Sequence, residues 1–175
     1  MRIFIALNFD EKTKQKLYNI QGKLLQIGIE GNYTRSENFH LTLVFIGETN
    51  RIDDIKVAMN KIQFAPFNLI IKGAGIFSQR DSKILWAGIY APSLLINIQK
   101  QLADDLQKLK FDIETWKFKP HLTLIRNAVL PNSITMNTIS NIIGEMYVEI
   151  SKLSLMKSEK INGILTYTEI YNSHK

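Results

Sequence analysis

The 175-residue sequence predicts an α+β fold. Short apolar runs come in pairs joined by polar turns, and amphipathic helical stripes fall between the pairs. A helix, a strand carrying His-Leu-Thr-Leu, another helix and two further strands occur in that order twice, an approximate internal duplication. Hairpin-joined strands favour antiparallel sheets with helices packed on their outer faces.

Arg2 to Phe9 is a β-rich apolar run and predicts a central strand. Asp10 is placed to cap the helix that follows, its carboxylate accepting from first-turn N–H groups. Leu17, Ile20, Leu24 and Leu25 recur at helical spacing, with Lys12, Lys14, Gln15 and Lys23 outward, and Gly28 and Gly31 end the helix. Tyr33 to Asn38 is a polar approach to His40-Leu41-Thr42-Leu43, whose strand runs to about Ile46 and stops at Gly47. Asn50 or Asp53 starts a second helix that buries Ile55, Ala58, Met59 and Ile62, and Pro66 closes it. Phe67 to Ile71 and Ile84 to Tyr90 predict paired strands, with Gly73-Ala74-Gly75 as a bend or bulge and Ser78 to Lys83 as a polar turn. Pro92 suits the first turn of a third helix striped by Leu95, Ile98, Leu102, Leu106 and Leu109.

Phe111 to Phe118 is expected to include another strand or an extended stretch, and Pro120 holds Lys119 extended at the entry to His121-Leu122-Thr123-Leu124. Ser133 is the expected cap of a fourth helix ending near Ile143. Two strands, Met146 to Lys157 and Leu165 to Asn172, complete the order, and Asn162-Gly163 between them is a favoured hairpin turn.

The apolar content of 45% and charged content of 22% are those of an ordinary soluble chain, expected to form one two-lobed domain over residues 1–175. No apolar run reaches the length of a membrane span, and the N-terminal run meets Asp10 too early for a signal peptide. With no cysteine there is no disulfide, thiol nucleophile or thiolate metal site, which fits a reducing cytoplasm. A formal charge of +6 favours a polyanionic partner. No protein partner is implied, and a monomer is the default.

Two of the three histidines open the repeated tetrapeptide. On a strand, His and Thr two residues apart project from one face while leucines hold the core. Two such strands facing each other bring two imidazoles to one place. One neutral ring is then able to accept a proton and the other, protonated, to give one, as in-line displacement at phosphorus requires. The threonine hydroxyls suit the non-bridging phosphate oxygens. This chemistry leaves open which histidine plays which part. A zinc site lacks a third ligand at suitable spacing, and no Gly-x-Ser-x-Gly elbow is present. The alternative from another class is an RNA- or nucleotide-binding module that uses the same cleft without turnover.

The paired His-x-Thr-x motifs, with flanking Arg2 to Leu7, Glu37 to Glu48, Gly73 to Phe77, Ile84 to Gly88 and Phe118 to Arg126, span nearly the whole chain. In these segments the sequence resembles the two-histidine phosphoesterase superfamily, and within it the RNA 2′,3′-cyclic phosphodiesterases, also called 2′-5′ RNA ligases. The resemblance implies a bilobal pseudo-two-fold duplication with antiparallel sheets facing a central cleft. It implies metal- and cofactor-independent hydrolysis of a 2′,3′-cyclic phosphate on RNA or a nucleotide to a 2′-phosphomonoester, and reversible 2′-5′ ligation by the same chemistry. His40 would then be the proton donor and His121 the proton acceptor, with Thr42 and Thr123 on the phosphate. Arg126 is a further candidate for the phosphate. Tyr33 stands where many relatives carry tryptophan, and Ile125 where they carry alanine. Phe45 and Trp86 are expected in the core, Phe77 is left open, Lys119 is expected to be solvated surface, and His174 to be a loose terminal residue.

Overall fold

A computed structural model describes residues 1–79, 82–114 and 118–173. The first strand, β1 (Arg2–Asn8), leads into α1 (Glu11–Gln26), which Asp10 caps by accepting from the Thr13 N–H at 2.7 Å. Leu17, Ile20 and Leu24 are buried as expected, but Leu25 is 59% exposed. Its place in the stripe is taken by Gln21, whose amide donates to the carbonyls of Thr34 and Leu124, each at 2.9 Å. A polar residue thus ties α1 to the second motif, which apolar periodicity alone does not register.

A short strand absent from the sequence reading, β2 (Glu30–Tyr33), follows, then a single 3-10 turn over Ser36–Asn38 and the first motif strand, β3 (His40–Glu48). The helix α2 (Ile52–Lys61) begins after Arg51, between the two expected starts. The strands β4 (Phe67–Gln79) and β5 (Ser82–Tyr90) form a hairpin whose register shifts between Ile71 and Ala74, the expected glycine bulge. The strands run further into the polar turn than expected, and Arg80 and Asp81 lie outside the described residues. Then come α3 (Ser93–Lys108) and the second motif strand, β6 (His121–Val129). Of the stretch expected to be extended before it, residues 111–114 and 118–120 form no strand, and residues 115–117 lie outside the described residues.

The fourth helix, α4 (Met136–Ile143), is capped not by Ser133 but by Thr135, whose hydroxyl accepts from the Thr138 N–H at 3.1 Å. The two tail strands are three: β7 (Glu145–Ile150), β8 (Ser154–Ile161) and β9 (Ile164–Asn172). The expected Asn162-Gly163 turn joins the last two, both residues having the positive φ that such a hairpin needs. His174 lies outside the described residues.

All pairings are antiparallel, in one sheet ordered β3-β1-β8-β9 and another ordered β2-β6-β5-β4-β7. The sheets are not consecutive halves of the chain. The first combines β1 and β3 with β8 and β9, and the second takes β2 from between β1 and β3 and adds β4 to β7. The break at Ser151–Leu153 is where the chain passes from β7 in one to β8 in the other. One apolar core joins both sheets to the helices, with Ile3, Ile5, Leu7 and Leu41 from one sheet, Leu69, Leu85, Leu122 and Leu124 from the other, and Leu17, Ile55, Leu95 and Ile139 from the helices. The reverse face of β1 carries a second, smaller cluster of Phe4, Ala6 and Met156 against Tyr167. That explains why β1 is apolar from Ile3 to Leu7: one face meets the main core, the other lies under the first motif.

Candidate active site

The two motif strands repeat one departure from regular pairing. Along β3 the register with β1 slips between Ile5 and Ala6, so that Thr42 faces Ala6 and Val44 faces Ile5, leaving Leu43 as an extra residue. Along β6 the register with β5 slips in the same place, with Thr123 against Trp86 and Ile125 against Leu85, leaving Leu124 extra. A bulge reverses the face on which later side chains emerge. Strict alternation would bury residues 45 and 126; the bulges instead turn Phe45 and Arg126 outward, onto the face that carries His and Thr. Phe45 is accordingly 46% exposed, which corrects its expected place in the core.

Each histidine is held in the same way. The Nδ1 of His40 lies 2.7 Å from the carbonyl of Asn38, and the Nδ1 of His121 lies 2.7 Å from the carbonyl of Lys119. A carbonyl only accepts, so each Nδ1 carries the hydrogen and each Nε2 is left for proton transfer. The Nε2 of His40 is 2.9 Å from the Thr42 hydroxyl. Aromatic rings fix both imidazoles. Phe4 and Tyr167 pack on His40 at 4.9 and 5.1 Å, and Phe77 and Trp86 on His121 at 4.8 and 6.1 Å between centroids. Trp86 is core, as expected, while Phe77 belongs to the wall of the site.

Burial pushes the His40 pKa down to about 4, offset in part by its bond to the Asn38 carbonyl, with the positive charges of Arg126 and His121 lowering it further. His121 is lowered by burial too, with a partial offset from the Lys119 carbonyl and further lowering by Arg126 and Lys119. Both rings are therefore neutral in the free protein at neutral pH. An anion that cancels the field of Arg126 makes protonation easier, so a bound phosphate and a proton arrive more readily together.

All five expected site residues converge. His40, Thr123 and Arg126 line a cavity of about 280 Å³. His40, Thr42 and Arg126 line an adjoining one of about 380 Å³, and Thr42 with His121 lines a third of about 420 Å³. Lys119 is exposed, as expected, and its ammonium stands 4.5 Å from the Trp86 ring centroid and 5.4 Å from that of Phe77. Its carbonyl therefore orients His121 while its head adds positive charge to the rim.

Asn38 is the site residue that sequence reasoning passed over. It is buried, its amide donates to the Leu165 carbonyl at 2.9 Å, and its side-chain oxygen accepts from the Tyr167 N–H at 3.1 Å. The amide thus stands in for a neighbouring strand on β9, while the same residue's carbonyl holds His40. A lone Asn before a motif gives no periodic signal by which to find it. Among the described residues no three His, Cys, Asp or Glu side chains are grouped as metal ligands, and no helix is long and apolar enough to cross a membrane.

Two antiparallel sheets that each offer a His-x-Thr strand to one basic cleft have the architecture of a two-histidine phosphoesterase. Residues 7–86 match the family described as LigT like Phosphoesterase. The protein named RNA 2′,3′-cyclic phosphodiesterase in Thermotoga maritima is 31% identical over 137 residues, covering 75% of this chain and 73% of that one. The chain belongs to the LigT-like phosphoesterase family. The protein of the same name in Methanothermobacter thermautotrophicus is 27% identical over 182 residues, covering 97% of this chain and 96% of its own. The crystal structure of Escherichia coli LigT complexed with 3′-AMP shares the fold with a TM-score of 0.80 at 21% identity, over 98% of this chain and 95% of that one.

Proposed function

We propose that this protein hydrolyses a 2′,3′-cyclic phosphate at the end of RNA or a nucleotide to a 2′-phosphomonoester, without a metal ion or cofactor. The observation that carries the reading is the matched pair of histidines, each anchored through Nδ1 to a carbonyl two residues back so that Nε2 remains for proton transfer. His121 takes a proton from water as its oxygen attacks phosphorus. The bond from phosphorus to the 3′ oxygen breaks, and His40 gives that oxygen its proton, leaving a 3′-hydroxyl and a 2′-phosphate. Thr42, Thr123 and Arg126 hold the non-bridging oxygens, where negative charge gathers. A donor must be protonated, so with its pKa depressed by burial His40 takes up its proton only as the anionic substrate binds. With a 5′-hydroxyl in place of water, the same step joins two ends as a 2′-5′ linkage, and its reverse cleaves that linkage to the cyclic phosphate. The names of the relatives support this substrate, and the lack of cysteine suits a cytoplasmic enzyme.

The test is turnover of an oligonucleotide ending in a 2′,3′-cyclic phosphate, in excess chelator, by wild type, His40→Ala and His121→Ala. The expected result is a 2′-phosphate product, with kcat reduced roughly 10²- to 10⁴-fold in either variant. An inert wild type that still binds the oligonucleotide would favour a binding module, and activity abolished by chelator would place a metal in the reaction.

A further inference from the structure

We propose that Phe45 and Arg2 form a second nucleotide subsite, which takes the base preceding the cyclic phosphate, so that the preferred substrate is an RNA end of at least two nucleotides. The inference rests on the hydrolase reading for its substrate class, and on four features of the cleft for its location. Two cavities diverge from the shared His40 and Arg126, one of about 280 Å³ with Asn32 and Thr34 on its wall, the other of about 380 Å³ with Arg2 and Phe45. A cyclic phosphate held at the histidines carries one ribose and one base, which leave space beside Phe45, a residue that also lines the third cavity of about 420 Å³ at His121.

The second feature is the ring itself. Phe45 is a large aromatic left 46% exposed on a strand whose Leu41 and Leu43 are buried, and a bulge is what turns it outward. It occupies the place in its motif that Arg126 occupies in the other, five residues after the histidine. One copy of the duplicated strand thus offers a cation to the cleft and the other an aromatic face. Third, the Arg2 guanidinium lies over the Phe45 ring, 5.0 Å from its centroid. Such a pair is a stacking platform for a nucleobase of any identity. Fourth, Arg2 supplies a cation apart from the reacting phosphate, as the phosphodiester that links the last two nucleotides requires. The cavity walled by Asn32 and Thr34 has Arg35 as its further cation, already paired with Glu37 at 3.1 Å, and it is left for the terminal base.

The experiment compares binding of two products, a mononucleotide 2′-phosphate and a dinucleotide ending in a 2′-phosphate, by calorimetry. Neither ligand reacts further, so the reading does not depend on turnover. Wild type should bind the dinucleotide about 5- to 150-fold more tightly, the range for one stacked base. In Phe45→Ala and Phe45→Leu that ratio should collapse, and Phe45→Trp should restore it; Phe45→Leu retains apolar bulk and separates stacking from a packing defect. Equal binding of the two ligands by wild type, or a ratio unmoved in Phe45→Ala, would overturn the subsite. Turnover of the cyclic dinucleotide is measured beside it: a protein that keeps the binding ratio but has no turnover has the subsite and is not the hydrolase proposed.

Discussion

Arg126 acts on both histidines at once, and that makes it the residue whose replacement is most informative. Its charge lowers the pKa of His40 and of His121, in addition to the larger effect of burial. In the free enzyme the acceptor must be neutral, so kcat/KM rises with pH through its pKa. The donor must be protonated, so kcat/KM falls as pH rises through the other pKa. Both values are depressed, so the bell for the coupled pair should centre below pH 6.5. Arg126→Gln should move the whole bell upward while weakening substrate binding. A wild-type bell centred above 6.5, or one indifferent to Arg126→Gln, would contradict the electrostatics derived from the structure. His40, Thr42, His121 and Thr123 were legible because a repeated tetrapeptide is a chemical pattern. Arg2, Asn38 and Lys119 were not, because each acts through a neighbour that folding supplies: a ring, a distant strand or a backbone carbonyl.

The sheet elements position these groups through close contacts that leave no room for change. Gly75 faces Trp86 across the β4–β5 hairpin, and a Cβ there would fall inside van der Waals contact with the indole ring. Gly75→Ala must therefore displace the ring against which His121 packs and over which Lys119 lies. The expected loss is about 1–3 kcal/mol of stability by urea denaturation, with a fall in kcat. A variant as stable and active as wild type would mean that Trp86 does not hold the site. Elements that bury an apolar stripe were readable from the sequence, as α1, α3 and β1 illustrate. β2 was not, since Glu-Gly-Asn-Tyr has little strand character and forms only as a partner of β6. The β7–β8 run hid its break because Ser151-Lys152-Leu153, where the chain changes sheet, has no Gly or Pro to mark it.

For the whole molecule, both sheets and the helices share one apolar core, and the chain passes between the sheets more than once, which argues for a single folding unit. Far-UV circular dichroism and tryptophan fluorescence should then report coincident urea transitions, and two separated transitions would refute it. The duplication was visible in the sequence, but its distribution was not: a repeat along the chain does not disclose which segments pair. Here the distribution has a temporal consequence. The amide of Asn38 is satisfied by Leu165, 127 residues later in the chain. At ~5–20 residues per second of synthesis, Asn38 waits roughly 6 to 25 s for that partner. Until the β8–β9 hairpin emerges, the carbonyl that aligns His40 sits on an unanchored turn. A growing chain thus carries His40 from early in its synthesis but lacks the anchor of the turn before it until Leu165 has been added.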